Sequence, residues 1–233
     1  MAAPPGPEVQ AMFGEIAPRY DLLNRLLSFG VDRSWRKRAV RTLAPVPGQR
    51  LLDLCCGTGD LALELRATGA EVHGADFTAP MLSLAFAKAR RTGQDTAWVR
   101  ADAQALPYAD ASFDAVTIAF GIRNVADPRR ALAECRRVLR PGGRLAVLEF
   151  FPVRNRLWRA LFRLYFVGIL PRIARLFRVG RGGAYAYLPA SVDAFPRHEA
   201  FADWMRAAGF PQVVDRPLTG GVARLLVGTT EEA

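Results

Sequence analysis

The segment Leu52-Asp53-Leu54-Cys55-Cys56-Gly57-Thr58-Gly59-Asp60 decides the fold of this 233-residue chain. Residues 50–56 form a short apolar run that predicts a buried strand, and residues 60–67 carry a helical pattern. Two glycines at the turn between them let the backbone approach a ligand closely, while the first turn of the helix offers free N–H donors. We therefore expect Gly57, Thr58 and Gly59 to bind a cofactor.

Strand-like and helix-like segments alternate from about residue 49 onward, which is typical of a parallel sheet with helices on its faces. The last two of the predicted strands form a closing β-hairpin; the strands cover residues 50–56, 71–76, 96–101, 113–120, 144–151, 212–217 and 222–229. Helices are predicted at 60–67, 79–91, from Pro128 onward and at 195–208. The pattern indicates an α/β Rossmann-like fold with a mostly parallel seven-stranded sheet in residues 49–233. For residues 1–48 we predict an N-terminal tail followed by a helical lid.

Asp76 ends the second predicted strand, where its carboxylate is placed to accept hydrogen bonds from a ribose diol. The turn from Gly57 to Ala62 also fits the G-x-G-x-x-A pattern of dinucleotide-binding enzymes, which carry an acid roughly twenty residues further on. On these residues alone, NAD and S-adenosylmethionine both remain open as the cofactor.

Further carboxylates favour S-adenosylmethionine. Asp53 and Asp60 flank the glycine turn, where they suit a cationic ammonium and sulfonium ligand and repel a pyrophosphate. Asp102, followed by Ala103, comes after the third predicted strand, where it is placed to read an adenine amino group. Residues 139–144 complete a spacing that resembles class I methyltransferases. The alternative interpretation is that Asp53 and Asp102 are turn and cap residues.

The cysteines predict neither a disulfide framework nor a metal site. There are three, and two of them, Cys55 and Cys56, are adjacent, which indicates a reduced cytosol. Both come at the end of a predicted buried strand, so we expect them to pack rather than to act as nucleophiles. The histidines, His73 and His198, lie far from any cysteine pair, and no metal is expected.

Ordered motifs run along the chain from Met12 to the final hairpin. They are Met12-Phe13, Ile16-Ala17, Tyr20-Asp21, Asn24, Leu27-Ser28-Phe29-Gly30, Trp35-Arg36, Asp76-Phe77-Thr78, Phe120-Gly121-Ile122-Arg123-Asn124-Val125, Glu149-Phe150, Tyr187-Leu188-Pro189 and Ser191-Val192. Each motif alone is weak, but in this order they resemble the ubiquinone/menaquinone biosynthesis C-methyltransferase family. The resemblance covers nearly the whole chain.

The resemblance implies an enzyme that transfers a methyl group from S-adenosylmethionine to a ring carbon of a polyprenyl hydroquinone. Demethylmenaquinol is the preferred acceptor, and the benzoquinol of the ubiquinone pathway, alone or as well, stays open. A ring carbon ortho to a hydroxyl becomes nucleophilic when that hydroxyl loses its proton, and it takes the methyl group from the sulfonium in line, without a metal. The protein has to orient the reactants, exclude water and stabilise the phenolate.

The resemblance also assigns roles to particular residues. Arg123 is expected to stabilise the phenolate, because a side chain with a pKa above about 12 is a poor base, and Asn124 is expected to orient the ring. Tyr20 lies on a predicted helix that closes over the cofactor. Phe77 and Ala119 complete the cofactor contacts, although Ala119 stands where many members carry a serine that would contact the cofactor. A structural salt bridge for Arg123 and ordinary helix packing for Tyr20 are the alternatives.

Much of the positive charge lies in one segment of the chain. The net charge is +10, and no acidic residue lies between Glu149 and Asp193. That interval holds Arg154, Arg156, Arg159, Arg163, Arg172, Arg175, Arg178 and Arg181. Apolar side chains such as Trp158 and Phe162 interleave with the arginines, so we predict a basic amphipathic insertion at about residues 153–194 that docks on an anionic membrane surface. The alternative is a core-facing helix with a solvated arginine face.

We therefore expect a cytoplasmic protein, peripheral on the inner face of the cytoplasmic membrane, and a homodimer stays open. An RNA methyltransferase would also explain the charge. However, residues 119–122 lack the Asn/Asp-Pro-Pro-Tyr/Phe run of adenine-N6 enzymes, so no nucleic-acid partner is expected. A non-catalytic cofactor-binding subunit is disfavoured because both the cofactor turn and the acceptor-side motifs are present.

Overall fold

The computed structural model describes residues 6–28, 30–152 and 184–232. Its strands are β1 (Arg50–Leu54), β2 (Glu71–Asp76), β3 (Ala97–Arg100), β4 (Phe113–Ala119), β5 (Leu139–Phe150), β6 (Gln212–Leu218) and β7 (Ala223–Thr229). They form one sheet in the order β3-β2-β1-β4-β5-β7-β6. The first five strands pair in parallel, whereas β7 runs antiparallel to both β5 and β6. This confirms the mostly parallel seven-stranded sheet with a C-terminal hairpin.

Helices cover both faces of the sheet. They are α1 (Gly6–Ile16), α2 (Tyr20–Ser28), α3 (Asp32–Leu43), α4 (Asp60–Arg66), α5 (Ala79–Thr92), α6 (Pro128–Val138), α7 (Ala184–Ala194) and α8 (His198–Ala207). The side chains of β1 alternate between two cores: Leu51 packs with α3 and α4 on one face, and Leu52 packs with α6 and α8 on the other. Burial on both faces explains why this strand is an unbroken apolar run apart from Asp53.

Strand order reverses between β1 and β4, and ligands of such sheets bind in the crevice at this point. Both strands end in a residue with left-handed backbone, Cys55 (φ 56°) after β1 and Phe120 (φ 57°) after β4. A bulky residue rarely adopts this conformation, and such strain collects at functional sites. The two turns touch: a Cβ on Gly121 would lie 2.3 Å from Cys55 Cβ, so only glycine fits there.

Two boundaries differ from the predictions by three residues or more. The helix predicted at 195–208 begins at His198, because Pro196 disfavours helical backbone at the residue before it. Strand β5 begins at Leu139 rather than at residue 144. Its pairing with β4 shifts register between Phe113 and Ala115, so the Pro141-Gly142-Gly143 stretch is accommodated inside the strand as an irregularity.

Most of the predicted basic insertion, residues 153–183, lies outside the described residues, and α7 follows it. In the part of the chain that the structure describes, no helix is both long and apolar enough to cross a membrane.

Candidate active site

A first cavity, the cofactor cavity, opens at the carboxyl ends of β1, β2 and β4. Residues from the sheet loops and from α1 line it, among them Gly57, Asp76, Phe77, Asp102, Ala103, Asn124, Gln10 and Phe13. The structure thus brings together most of the residues predicted to bind the cofactor. Gln10 and Phe13 were not predicted to do so. Gln10 Nε2 donates to the backbone oxygen of Phe77 at 3.2 Å, which ties α1 to the rim of the cavity.

Asp76 is fixed at the floor of the cofactor cavity. Its Oδ2 accepts a hydrogen bond from Gly57 N at 2.8 Å, and its Oδ1 accepts one from Thr78 N at 2.8 Å. Burial raises the pKa of this carboxyl, although the backbone donors oppose the shift. Because backbone N–H groups fix this carboxylate, its remaining lone pairs are free to accept hydrogen bonds in the cavity. This arrangement suits the two hydroxyls of a ribose.

Asp102 lies across the same cavity. Its Oδ1 accepts hydrogen bonds from Gln104 N at 2.9 Å and from Gln104 Nε2 at 3.0 Å. The turn of Asp102, Ala103 and Gln104 therefore faces the cavity with a carboxylate whose orientation is set by its own loop, as an adenine amino group requires. With Asp76, it gives a pair of hydrogen-bond acceptors that fits a nucleoside.

The absence of a side chain has a different consequence at each of the two glycines of the turn. Gly57 has φ 55°, and a Cβ there would lie 3.7 Å from Tyr20 Cε1, so its open side faces α2 and the cavity. Gly59 has φ 82°, and a Cβ there would lie 2.6 Å from Trp98 Cη2. Gly57 therefore leaves open space towards the cavity, whereas Gly59 makes room for the Trp98 ring of β3.

Four predicted cofactor residues, Gly59 among them, are not among those lining the cofactor cavity. Asp53 lies buried beneath the glycine turn, where Thr117 Oγ1 donates to its Oδ1 at 2.7 Å. Burial raises the pKa of Asp53 to about 7, against the opposing hydrogen bond from Thr117. Ala119 packs against the core on the α3 and α4 face, and the Thr58 side chain is buried and points to α2.

The glycine turn is connected to α2 by a polar cluster that sequence reasoning did not identify. Thr58 Oγ1 donates to Asp21 Oδ1 at 2.6 Å, and Lys88 Nζ lies 2.6 Å from Asp21 Oδ2. Lys88 also lies 2.6 Å from Asp60 Oδ1, at the start of α4. We call Asp21, Thr58, Asp60 and Lys88 the latch, because they tie α2 to the turn that faces the cofactor cavity. Burial opposes ionisation of Asp21, but hydrogen bonds from Lys88 and Thr58 outweigh it and lower its pKa.

A second cavity, the acceptor cavity, lies on the other side of Phe13, which lines both. Its walls are largely apolar and aromatic, with lining residues that include Ile16, Tyr20, Phe120, Phe150, Tyr187 and Leu188. Burial raises the pKa of Tyr20, with the hydrogen bond to Asn24 and the charge of Arg123 opposing the shift. Tyr20 therefore keeps its proton at neutral pH.

Arg123 provides a buried positive charge at the wall of the acceptor cavity. Its Nη1 lies 2.7 Å from Glu149 Oε1 and donates to the Phe120 carbonyl oxygen at 2.8 Å. Its guanidinium also lies 5.7 Å from the centre of the Phe150 ring. Burial raises the pKa of Glu149, and the charge of Arg123 counteracts this. The structural salt bridge is therefore present, and the same guanidinium lines the cavity.

Asn124 follows in the same turn and lines the cofactor cavity. Its Oδ1 accepts a hydrogen bond from the Tyr187 hydroxyl at 2.8 Å. Cys55 also lines this cavity, and its Cβ packs directly on Gly121, while burial raises the pKa of its thiol well above the ordinary value. The thiol is therefore kept protonated, in agreement with a packing role.

Comparisons with known proteins agree with this geometry. A sequence model of the ubiE/COQ5 methyltransferase family matches residues 4–230. The demethylmenaquinone methyltransferase of Thermus thermophilus is 56% identical over 93% of this chain and 99% of that protein. The ubiquinone/menaquinone biosynthesis C-methyltransferase UbiE of Geotalea uraniireducens is 45% identical over 96% of each chain.

Solved structures show the same fold at lower identity. A methyltransferase from Thermotoga maritima that depends on S-adenosylmethionine has a TM-score of 0.64 and 22% identity, covering 95% of this chain and 99% of that one. The family match, and not the shared fold, decides the choice between NAD and S-adenosylmethionine that the glycine turn left open. The chain belongs to the ubiE/COQ5 methyltransferase family, and it is a C-methyltransferase that uses S-adenosylmethionine as methyl donor.

Proposed function

We propose that this enzyme methylates a ring carbon of a polyprenyl hydroquinone, with demethylmenaquinol as the acceptor and menaquinol as the product. The observation that supports this most is the acceptor cavity, which combines aromatic walls with the buried Arg123 and adjoins the cofactor cavity at Phe13. A flat, apolar ring that carries ionisable hydroxyls matches such a lining. The name of the Thermus thermophilus relative supports the same acceptor.

S-adenosylmethionine, when bound, supplies an electrophilic methyl group on a sulfonium. In our proposal Asp76 holds its ribose, Asp102 reads its adenine, and Phe77 covers the apolar side of the nucleoside. Phe13 and Tyr20, whose rings lie 6.1 Å apart in an edge arrangement, close the space between the two cavities. Their aromatic surface excludes water from the reacting atoms.

Arg123 acts on the acceptor. Its positive charge stabilises the negative charge that develops on the ring oxygen when the hydroxyl proton passes to solvent. The ring carbon would then take the methyl group from the sulfonium, the sulfide would leave, and the proton on that ring carbon would be lost as the ring regains its aromaticity. Its pairing with Glu149 makes the cavity wall neutral before the reaction, which suits a neutral quinol. Asn124, at the boundary of the cofactor cavity, orients the ring so that the carbon next to the ring oxygen faces the methyl group.

Mass spectrometry on purified protein with S-adenosylmethionine and reduced demethylmenaquinol tests this proposal. A demethylated ubiquinol precursor is offered in parallel, because the Geotalea uraniireducens relative carries both pathways in its name. A gain of one methyl on the naphthoquinol alone supports the proposed acceptor. Methylation of both acceptors indicates a shared enzyme, and product from neither contradicts the proposal.

We also propose that the basic insertion at about 153–194 docks the enzyme on an anionic membrane surface, where a polyprenyl quinol resides. This rests on the arginine-rich and aromatic sequence of that interval. Flotation with vesicles that contain anionic phospholipid should carry the protein upward at low salt, with neutral phosphatidylcholine vesicles as the control. Absence of binding to the anionic vesicles would remove the membrane proposal.

A further inference from the structure

Tyr187 of α7 belongs to the sequence motif Tyr187-Leu188-Pro189, to which neither cofactor binding nor stabilisation of the phenolate assigns a role. Its ring lines the acceptor cavity, and its hydroxyl lies 2.8 Å from Oδ1 of Asn124, which lines the cofactor cavity. This hydrogen bond therefore crosses the boundary between the two cavities, where the reacting atoms have to meet.

The surroundings of Asn124 select one of the two orientations of its amide. Its Nδ2 lies 3.4 Å from the carbonyl oxygen of Phe120, a position that only the NH2 group tolerates because two oxygens would repel each other. The Tyr187 hydroxyl consequently has to be the donor to Oδ1. Within the residues that the structure describes, Nδ2 has no other acceptor, so its second N–H is available to a ligand.

We propose that Tyr187 is a positioning residue for methyl transfer: it holds the Asn124 amide so that an N–H, and not the amide oxygen, faces the acceptor oxygen as that oxygen gains negative charge. This rests on the function proposed above. An N–H donor stabilises a developing phenolate, whereas a flipped amide would present a lone pair and repel it. The aromatic ring alone, as in phenylalanine, would fill the same space, but the amide would then be held only by the 3.4 Å contact of Nδ2 with the Phe120 carbonyl oxygen.

Two further features support this assignment. Burial raises the pKa of Tyr187, with Arg123 lowering it and Glu149 raising it further, so the hydroxyl remains a donor at neutral and mildly basic pH. The same helix supports the neighbouring guanidinium, because Ser191 Oγ accepts a hydrogen bond from Arg123 Nε at 3.3 Å. The helix α7 thus contacts both residues that we place at the acceptor oxygen.

Turnover of Tyr187→Phe tests the proposal. We expect kcat on demethylmenaquinol to fall about tenfold or more, less than the loss of a whole oxyanion donor, while KM and the affinity for S-adenosylmethionine stay within about twofold. Tyr108→Phe is the matched control, since the Tyr108 hydroxyl is buried without a hydrogen-bond partner in the described residues. A kcat for Tyr187→Phe equal to that of the control would overturn the proposal.

A second measurement needs no acceptor. The chain has three asparagines, Asn24, Asn124 and Asn155, so selective ¹⁵N-asparagine labelling gives three side-chain amide signals, and the signal lost in Asn124→Asp identifies the relevant one. This signal should shift and exchange faster with solvent in Tyr187→Phe than in Tyr108→Phe. An unchanged signal would contradict the positioning role, even if the wild-type enzyme methylates neither quinol and the proposed function itself fails.

Discussion

Nη1 of Arg123 lies 2.7 Å from Oε1 of Glu149, and both side chains are buried, with Arg123 at the wall of the acceptor cavity. A buried ion pair adds little net stability, but the loss of one partner leaves an uncompensated charge. A substitution of Arg123 is therefore expected to change both the stability of the fold and the rate of the proposed reaction. Stability and activity have to be measured separately at this position.

Arg123→Ala should lower kcat by about 100-fold or more and the free energy of unfolding by about 3–5 kcal/mol, because Glu149 is left buried and unpaired. The double variant Arg123→Met with Glu149→Gln should recover most of the stability and none of the turnover. Urea unfolding and steady-state kinetics give the two quantities. Near-wild-type turnover in either variant would exclude the proposed role of Arg123.

Asp76→Asn should weaken binding of S-adenosylmethionine by about 1.5–3 kcal/mol, the usual contribution of a hydrogen bond to a charged group. Titration calorimetry measures this directly. The matched control is Asp110→Asn, whose exposed carboxylate pairs with Arg137 away from both cavities. Equal affinity in the two variants would show that Asp76 does not contact the cofactor.

Asp53 should make stability depend on pH. Burial raises the pKa of its carboxyl from 3.8 to about 7, so the folded state binds the proton more tightly than the unfolded state. The contribution of Asp53 to the free energy of unfolding is therefore fully present at low pH. It is lost as the pH rises through about 7, at up to about 1.4 kcal/mol per pH unit. Asp76, whose pKa is also raised, acts with the same sign.

Urea unfolding of wild type and Asp53→Asn between pH 4 and pH 8 tests this. The wild-type free energy of unfolding, relative to that of the variant, should decline towards neutral pH and then level off. Asp203→Asn, on the exposed side of α8, should show no such trend relative to wild type. A difference that rises with pH for Asp53→Asn would contradict the assignment.

The latch should retard release of the cofactor by holding α2 on the glycine turn. Asp21→Asn and Lys88→Met should each speed dissociation of S-adenosylmethionine roughly 3- to 10-fold, and the double variant should add little, since both remove the same ion pair. Stopped-flow displacement measures these rates. Fully additive effects would show that Asp21 and Lys88 act independently.

Local sequence was sufficient to predict the sheet and the floor of the cofactor cavity. Gly57, Asp76 and Asp102 each lie at or just beyond the carboxyl end of a strand, and the carboxyl ends of parallel strands meet at one edge. The placement of Asp53 could have been deduced from strand periodicity, since alternation puts it on the same face of β1 as Leu51, which packs with α3 and α4.

The remaining contacts join segments that are distant in sequence, and no local pattern predicts them. Thr58 and Asp21 are 37 residues apart, Tyr187 and Asn124 are 63 apart, and Gln10 and Phe77 are 67 apart. The family motifs included Tyr20-Asp21 and Tyr187 without showing what they contact. Only the packing of α1, α2 and α7 on the strand ends reveals those contacts.

The central claim is that the methyl group is transferred to a ring carbon of a quinol, and the most direct test follows the methyl group itself. Purified enzyme is given S-adenosylmethionine with a ¹³C-labelled methyl group and reduced demethylmenaquinol, and the product is analysed by ¹³C NMR. We predict one labelled signal, at the position of a methyl group on an aromatic ring carbon. A labelled signal at the position of a methoxy group, or no labelled quinol from enzyme that binds its cofactor, would contradict the account.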